Sequence, residues 1–205
     1  MFPLSTVLFP HGTLPLHVFE PRYRVLMDHC LAAEREFGVV MIERGSEVGG
    51  GDLRSGTGTL ARIEVAQQLP DGRWLMAARG VEPIRVLDWL PDDPYPVATV
   101  VPISEPELAP EHRLLAEARS WVRRARALLS ELGDHPPMAP DAPGTTTEQM
   151  WHLCAAAPLG PLDRQRLLVA GGPEARLEAL VELCRAAAED MGRLLGGASG
   201  PSPEP

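Results

Sequence analysis

Phe2-Pro3-Leu4-Ser5-Thr6-Val7-Leu8-Phe9-Pro10-His11-Gly12-Thr13-Leu14-Pro15-Leu16-His17-Val18-Phe19-Glu20-Pro21-Arg22-Tyr23 is the stretch on which the fold turns. Two apolar runs, each interrupted by proline, flank a His11-Gly12 corner. Proline has no N–H to give a central ladder, so both runs read as short strands at a sheet edge or a barrel rim. Pro21 suits the first turn of a helix, where a missing N–H costs nothing. The helix expected over residues 22–33 carries Tyr23, Leu26, Met27 and Cys30/Leu31 at helical spacing.

Downstream, Phe37-Gly38-Val39-Val40-Met41-Ile42 reads as a buried strand. The glycine-rich residues 46–58 read as a loop, and residues 59–67 as a strand with Leu60, Ile63 and Val65 apolar. Leu69-Pro70-Asp71-Gly72 is turn chemistry, with Asp-Gly as its hairpin signal. Residues 73–79 form the return strand, Gly80 is expected to break it, and Ile84-Arg85-Val86-Leu87 alternates as another. A turn at residues 90–94 precedes a last strand at 95–103. Many short strands with one early helix suggest a small, partly open barrel.

After a linker at residues 105–110 the pattern changes to helical. Residues 111–132 carry Leu115, Ala118, Val122, Ala125, Leu129 and Leu132 as an apolar stripe, widened by Leu114, Trp121 and Leu128. Trp121 is expected to be buried where this helix meets its neighbours. Residues 133–147, with four prolines, read as an irregular loop. Shorter helices are expected at 147–156 and 161–169. Pro173 opens a last helix that Gly196-Gly197 ends. The expected division is a β-rich subdomain at 1–107, a helical subdomain at 108–196 and a disordered tail at 197–205.

The 205 residues are 44% hydrophobic with a net charge of −9. That suffices for one core, or for two small subdomains. Residues 1–108 hold nine arginines against fifteen acids, and residues 109–205 hold ten against thirteen. Neither half is basic, which disfavours an electrostatic grip on nucleic acid. All 19 basic residues are arginine. A chain without lysine has no phosphate-binding lysine for a P-loop, no Schiff-base lysine and no Ser-Lys dyad. No apolar stretch is long enough to span a bilayer, and Met1-Phe2-Pro3 opens no signal peptide. Cys30, Cys154 and Cys184 read as reduced, mostly buried thiols of a cytoplasmic protein.

The order FPL, VLFP, LPLHVFEPRY resembles the opening of the Lon protease N-terminal domain. Further pieces follow in the family's order: Phe37-Gly38-Val39-Val40, Gly58-Thr59-Leu60-Ala61-Arg62-Ile63, Leu69-Pro70-Asp71-Gly72-Arg73-Trp74, Gly80-Val81-Glu82-Pro83-Ile84-Arg85-Val86 and Asp93-Pro94-Tyr95-Pro96-Val97-Ala98. The resemblance covers about the first hundred residues, and more loosely the helical half through Pro158-Leu159 and Asp163-Arg164-Gln165-Arg166-Leu167-Leu168. It implies an α+β fold, a PUA-like β pseudobarrel followed by a helical subdomain. It also implies a stand-alone Lon-domain protein without the ATPase and peptidase modules of a full Lon protease. Consistent with that, Ser46-Glu47-Val48-Gly49-Gly50-Gly51-Asp52 is glycine-rich but lacks the GK[ST] end that holds phosphate.

His11, His17, His29, His112, His135 and His152 show no metal-ligand spacing, and Asp92-Asp93 sits in a proline-flanked turn that solvation explains. No G-x-S-x-G elbow is present. The sequence therefore leads one to expect no catalytic residue, no metal and no cofactor. Arg22 and Arg85 suit an Arg–Glu pair with Glu20 or Glu82. Phe19, Trp74, Trp89 and Tyr95 are the aromatics expected to line a peptide-binding groove, each against the alternative of core packing. Arg119, Arg123, Arg124 and Arg126 form a strip on the first long helix, either a solvated face or a dock for an acidic partner, with Arg119, Arg123 and Arg126 the docking candidates. The resulting expectation is a non-catalytic module that binds unfolded or degron-bearing polypeptide, or an adaptor that feeds a protease, with no nucleic acid and no membrane as partners. Two other classes stay open, an uncharted hydrolase and an RNA-binding PUA-like protein.

Overall fold

The computed structural model describes residues 1–45, 53–109, 112–134 and 144–198. The chain divides into two compact units, the first Met1–Glu105 and the second beginning at Pro106.

The first unit is one mixed sheet around helix α1 (Pro21–Ala32). Its strands are β1 (Phe2–Leu4), β2 (Thr13–Val18), β3 (Glu36–Arg44), β4 (Leu53–Gln68), β5 (Trp74–Leu90) and β6 (Val97–Pro102). They run β1-β3-β4-β5-β2 in order, with β6 also on β5. Among the described residues only β1 pairs parallel, Phe2 to Leu4 against Val39 to Met41. Strands β1 and β2, with Pro3 and Pro15, are the two ends of that path, where a missing donor is tolerated, while Pro83 sits inside the central β5 opposite Thr59. The corner between them closes on β5: the His11 N–H donates to Gly80 and the Gly80 N–H to Gly12, at 2.8 and 2.9 Å. Phe2, Leu4, Leu14, Val18, Tyr23 and Met27 meet in the core, with Ile63 and Ala78 from the long hairpin.

Two expectations change here, for related reasons. Gly80 does not break the return strand, because β5 is continuous from Trp74 to Leu90. A side chain at Gly80 would strike the Phe9 carbonyl, so the glycine serves close approach of the corner. Likewise residues 53–58 are strand and not loop, while 46–52 lie outside the described residues. Gly58 faces Val40 on β3 and Ile84 on β5, and a Cβ there would run into the Val39 carbonyl. Gly58→Val should therefore destabilise the sheet by about 3 kcal/mol or more, since backbone cannot move aside as a side-chain tip can. Urea unfolding of the β unit checks this; a change under about 1 kcal/mol would contradict the packing argument.

The second unit holds α2 (Arg113–Glu131), α3 (Thr146–Ala156), α4 (Pro161–Leu168) and α5 (Pro173–Ala198). Leu115, Ala118, Val122 and Ala125 are the buried stripe of α2. Thr145 caps α3 reciprocally with Glu148, each closing a free backbone N–H of the other. The expected loop falls partly at 135–143 and the tail mostly at 199–205, outside the described residues. Gly196-Gly197 does not end α5, which reaches Ala198. Trp121 is half-buried beneath the Arg185 guanidinium, 5.2 Å from its ring, and the buried tryptophan is Trp151. Heptad spacing alone did not separate a flank from the centre of the stripe.

Candidate functional site

β2 alternates: Leu14, Leu16 and Val18 turn inward, and Thr13, Pro15 and His17 lie exposed. Across from it, His17 pairs with Leu75 and Pro15 with Ala77 on β5. On the far side of β5, Gln67 pairs with Leu75 and Val65 with Ala77 on β4. The outer face of three neighbouring strands thus carries Pro15, Leu75, Ala77 and Val65 together. Leu75 is 44% exposed and Val65 62%. Phe19, just past the end of β2, is 54% exposed, with its ring 6.1 Å from that of His17. Isolated exposed apolar residues are ordinary, but contiguous ones on a sheet face mark contact surfaces.

Val65 reaches this face because of a β-bulge. Ile63 pairs with Ala78 and Val65 with Ala77, so Glu64 is the extra residue. Without it, Ile63 and Val65 would share a face by the period of two. With it, Ile63 is buried and Val65 is outside.

Beside this strip lies a pocket of about 90 Å³ lined by Phe2 and Leu4 of β1, Leu16, His17 and Val18 of β2, and Phe19, Glu20 and Tyr23 at the start of α1. Phe2 and Tyr23 stack at 4.1 Å to form part of it. The Arg22 guanidinium covers Tyr23 at 4.6 Å and donates to Glu20 at 3.0 Å. At this size the pocket is well below the roughly 300–1,000 Å³ typical of cofactor and small-molecule sites.

The aromatics singled out from sequence do not form one wall. Phe19 is on the exposed strip. Trp74, opposite Val18 at the start of β5, packs partly buried against the core. Tyr95 also leans on the core and shares a 2.7 Å hydrogen bond with His29 Nδ1. The ring of Trp89 is covered by Arg54 at 4.7 Å, and Arg54 is itself held by a two-pronged pair with Asp92. The sequence does not single out Leu75 or Val65, Val65 because no sequence signal announces the bulge at Glu64. On α2, Arg119 donates to Gln149 Oε1 at 2.9 Å and Arg126 to the Ala156 carbonyl at 2.8 Å, so both point to α3. Arg126 thereby closes a C-terminal carbonyl of α3. Arg123 and Arg124 are exposed.

The thiols are poor nucleophiles. Cys154 and Cys184 are buried, and burial pushes each up to about 12; burial also raises Cys30. A disulfide reagent should react quickly with at most Cys30 in the native protein and with all three cysteines in denaturant. Rapid native reaction at three thiols would contradict the packing of α3 and α5. Among the described residues there is no cluster of metal-ligating side chains and no helix long and apolar enough to cross a membrane.

Lon protease 2 of Herpetosiphon aurantiacus is 30% identical over 106 residues, 51% of this chain and 13% of the relative. Lon protease of Anaeromyxobacter dehalogenans is 24% identical over 184 residues, 87% of this chain and 22% of the relative. The chain thus spans less than a quarter of these curated relatives. Among solved structures, the Lon N-terminal domain protein from Xanthomonas campestris superposes with a TM-score of 0.62 at 31% identity, covering 88% of this chain and 95% of that one. The N-terminal domain of Mycobacterium avium complex Lon protease shares the fold at 17% identity, with a TM-score of 0.61 over 89% and 96% of the two chains. A match to the ATP-dependent protease La (LON) substrate-binding domain extends over residues 1–185, so both the strand-rich unit with its exposed strip and most of the helical unit lie inside it, and the chain belongs to that family.

Proposed function

We propose that the strand-rich unit captures apolar segments of polypeptide substrates on the outer face of β2, β5 and β4, as a binding module or as an adaptor that delivers them to a protease. The observation that carries this is the run of partly exposed Phe19, Leu75 and Val65 from the end of β2 over β5 to β4, in a family of substrate-binding domains. Burial of such a face on a client gains free energy in proportion to apolar area and needs no catalytic group. Three free cysteines suit a cytoplasmic setting.

Side chains carry more of this capture than main-chain pairing does. Gly80 donates to Gly12, so in steps of two Leu14, Leu16 and Val18 turn their backbone groups to β5. The outward row is Thr13, Pro15 and His17, and its middle member has no N–H. An added strand loses its central bond there, which also guards the edge against aggregation.

The test is fluorescence anisotropy of a labelled, permanently unfolded protein titrated with the 205-residue chain. Saturable binding that changes little between low and high salt is expected, because apolar burial is not screened. A steep salt dependence with preference for RNA would replace this reading with nucleic-acid binding. The chain alone should turn over neither ATP nor casein, since it has no lysine for a phosphate loop or a Ser-Lys dyad. Turnover of either by contaminant-free protein would overturn the non-catalytic reading.

A further inference from the structure

The geometry points to the pocket between β1 and β2 as an anchor site for a single aliphatic side chain, leucine-sized or smaller, of a bound polypeptide. This rests on the polypeptide-binding reading and adds to it a recognition element of defined size. The two strands that line the pocket are the ends of the strand path, and among the described residues no ladder joins them. Their inward side chains therefore meet across a seam that has no hydrogen bonds to close it. Phe2, Leu4, Val18 and Tyr23 make a floor exposed by no more than 8%, while Phe19, His17 and Glu20 form the rim.

Size decides what enters. The space is about 90 Å³. An enclosed apolar cavity of about 150 Å³ in another protein takes up a benzene ring; this smaller space opens at its rim, so a branched aliphatic side chain fills it while an aromatic ring stands partly outside. Charge decides what stands beside it. The Glu20 carboxylate at the rim lies near the point where the chain would enter, with Arg22 bonded to one of its oxygens. A carboxylate placed in the apolar hole itself would be desolvated without a partner. The exposed strip begins at the same rim through Phe19 and His17, so one extended segment can fill the pocket and lie along the strip.

The experiment uses labelled ten-residue peptides of Ser, Thr and Gly with one central residue varied among Leu, Val, Ala, Trp and Asp, titrated into the full chain. The Leu and Val peptides should bind roughly ten- to hundredfold tighter than the Ala peptide and tighter than the Trp peptide, with Asp no better than Ala. Leu16→Phe, which fills the pocket from its wall, should erase that difference. Methyl NMR of the unmodified protein gives a second readout that does not depend on the variant folding: Leu4, Leu16 and Val18 methyls should shift with the Leu peptide and stay in place with the Ala peptide. Equal affinity for the Leu, Ala and Trp peptides, with unfolded protein still bound, would remove the anchor site and leave the strip as the binding surface. Failure to bind any polypeptide would remove both.

Discussion

Arg176→Met should lower the stability of the helical unit by about 3 kcal/mol, a large share of what a small domain possesses. Arg176 is wholly buried on α5. Its Nε donates to the Leu167 carbonyl at 2.8 Å and a terminal nitrogen to the Leu168 carbonyl at 3.5 Å. Those are the last residues of α4, whose end carbonyls have no partner within the helix. The guanidinium also lies 3.9 Å from the ring of Trp151, the buried tryptophan of α3. One side chain therefore ties α5 to α4 and α3 together. Methionine fills similar volume but leaves buried carbonyls unpaired at about 1–3 kcal/mol each, and forfeits a desolvated cation–π contact of about 2 kcal/mol. Relief of the arginine's own desolvation offsets part of that sum, which brings the net to about 3. Arg176→Lys should recover little, because an ammonium neither forks to two carbonyls nor stacks flat. Thermal unfolding followed by helix circular dichroism measures both variants. A methionine variant as stable as the parent would show that α4 and α3 hold α5 without the guanidinium.

Much of the strand-rich unit was legible because proline and glycine carry local rules. Pro3 and Pro15 place their strands at the edges, Pro21 starts α1, and Asp71-Gly72 turns the hairpin, with Gly72 at φ 81°. The same residues misled where tertiary contact, not local conformation, explains them. Gly58 and Gly80 sit inside strands because neighbouring backbone passes too close for a side chain. Read locally, they are breakers. The family resemblance was legible from the order of short motifs, none of them decisive alone. The site was less so. Residue type alone singles out the aromatics, yet Trp89 is roofed by an ion-paired arginine and Tyr95 is bonded to His29. Leu75 follows from simple alternation once the pairing of β5 with β2 is known. Val65 does not, because a one-residue bulge reverses its face. Pairing partners and bulges are long-range facts, and a single sequence carries little trace of them.

The double substitution Phe19→Ser, Leu75→Ser should weaken binding of an unfolded client roughly hundredfold while the chain stays folded, with the circular dichroism of the parent. A phenylalanine offers about 150–250 Å² of surface, and about half of Phe19 is still open to a partner. At about 25 cal/mol per Å² that half is worth about 2–3 kcal/mol, and Leu75, 44% exposed, adds somewhat less. Ordering the client consumes part of the gain, which leaves about 3 kcal/mol, or a factor of roughly a hundred in Kd. Some stability is lost because about half of each side chain is already covered, but the fold holds because neither belongs to the buried core. Val65→Thr, at the far margin of the strip, should produce a smaller loss in the same direction. The contrast comes from Trp89: Trp89→Phe changes a ring already covered by Arg54 and should leave client affinity within about twofold, as expected for a side chain outside the contact. The anisotropy titration used for the parent chain reads all three. If the double variant binds as tightly as the parent while Trp89→Phe does not, the client lies at the Arg54–Asp92 end of the hairpin, and the outer face of β2, β5 and β4 is only solvated surface.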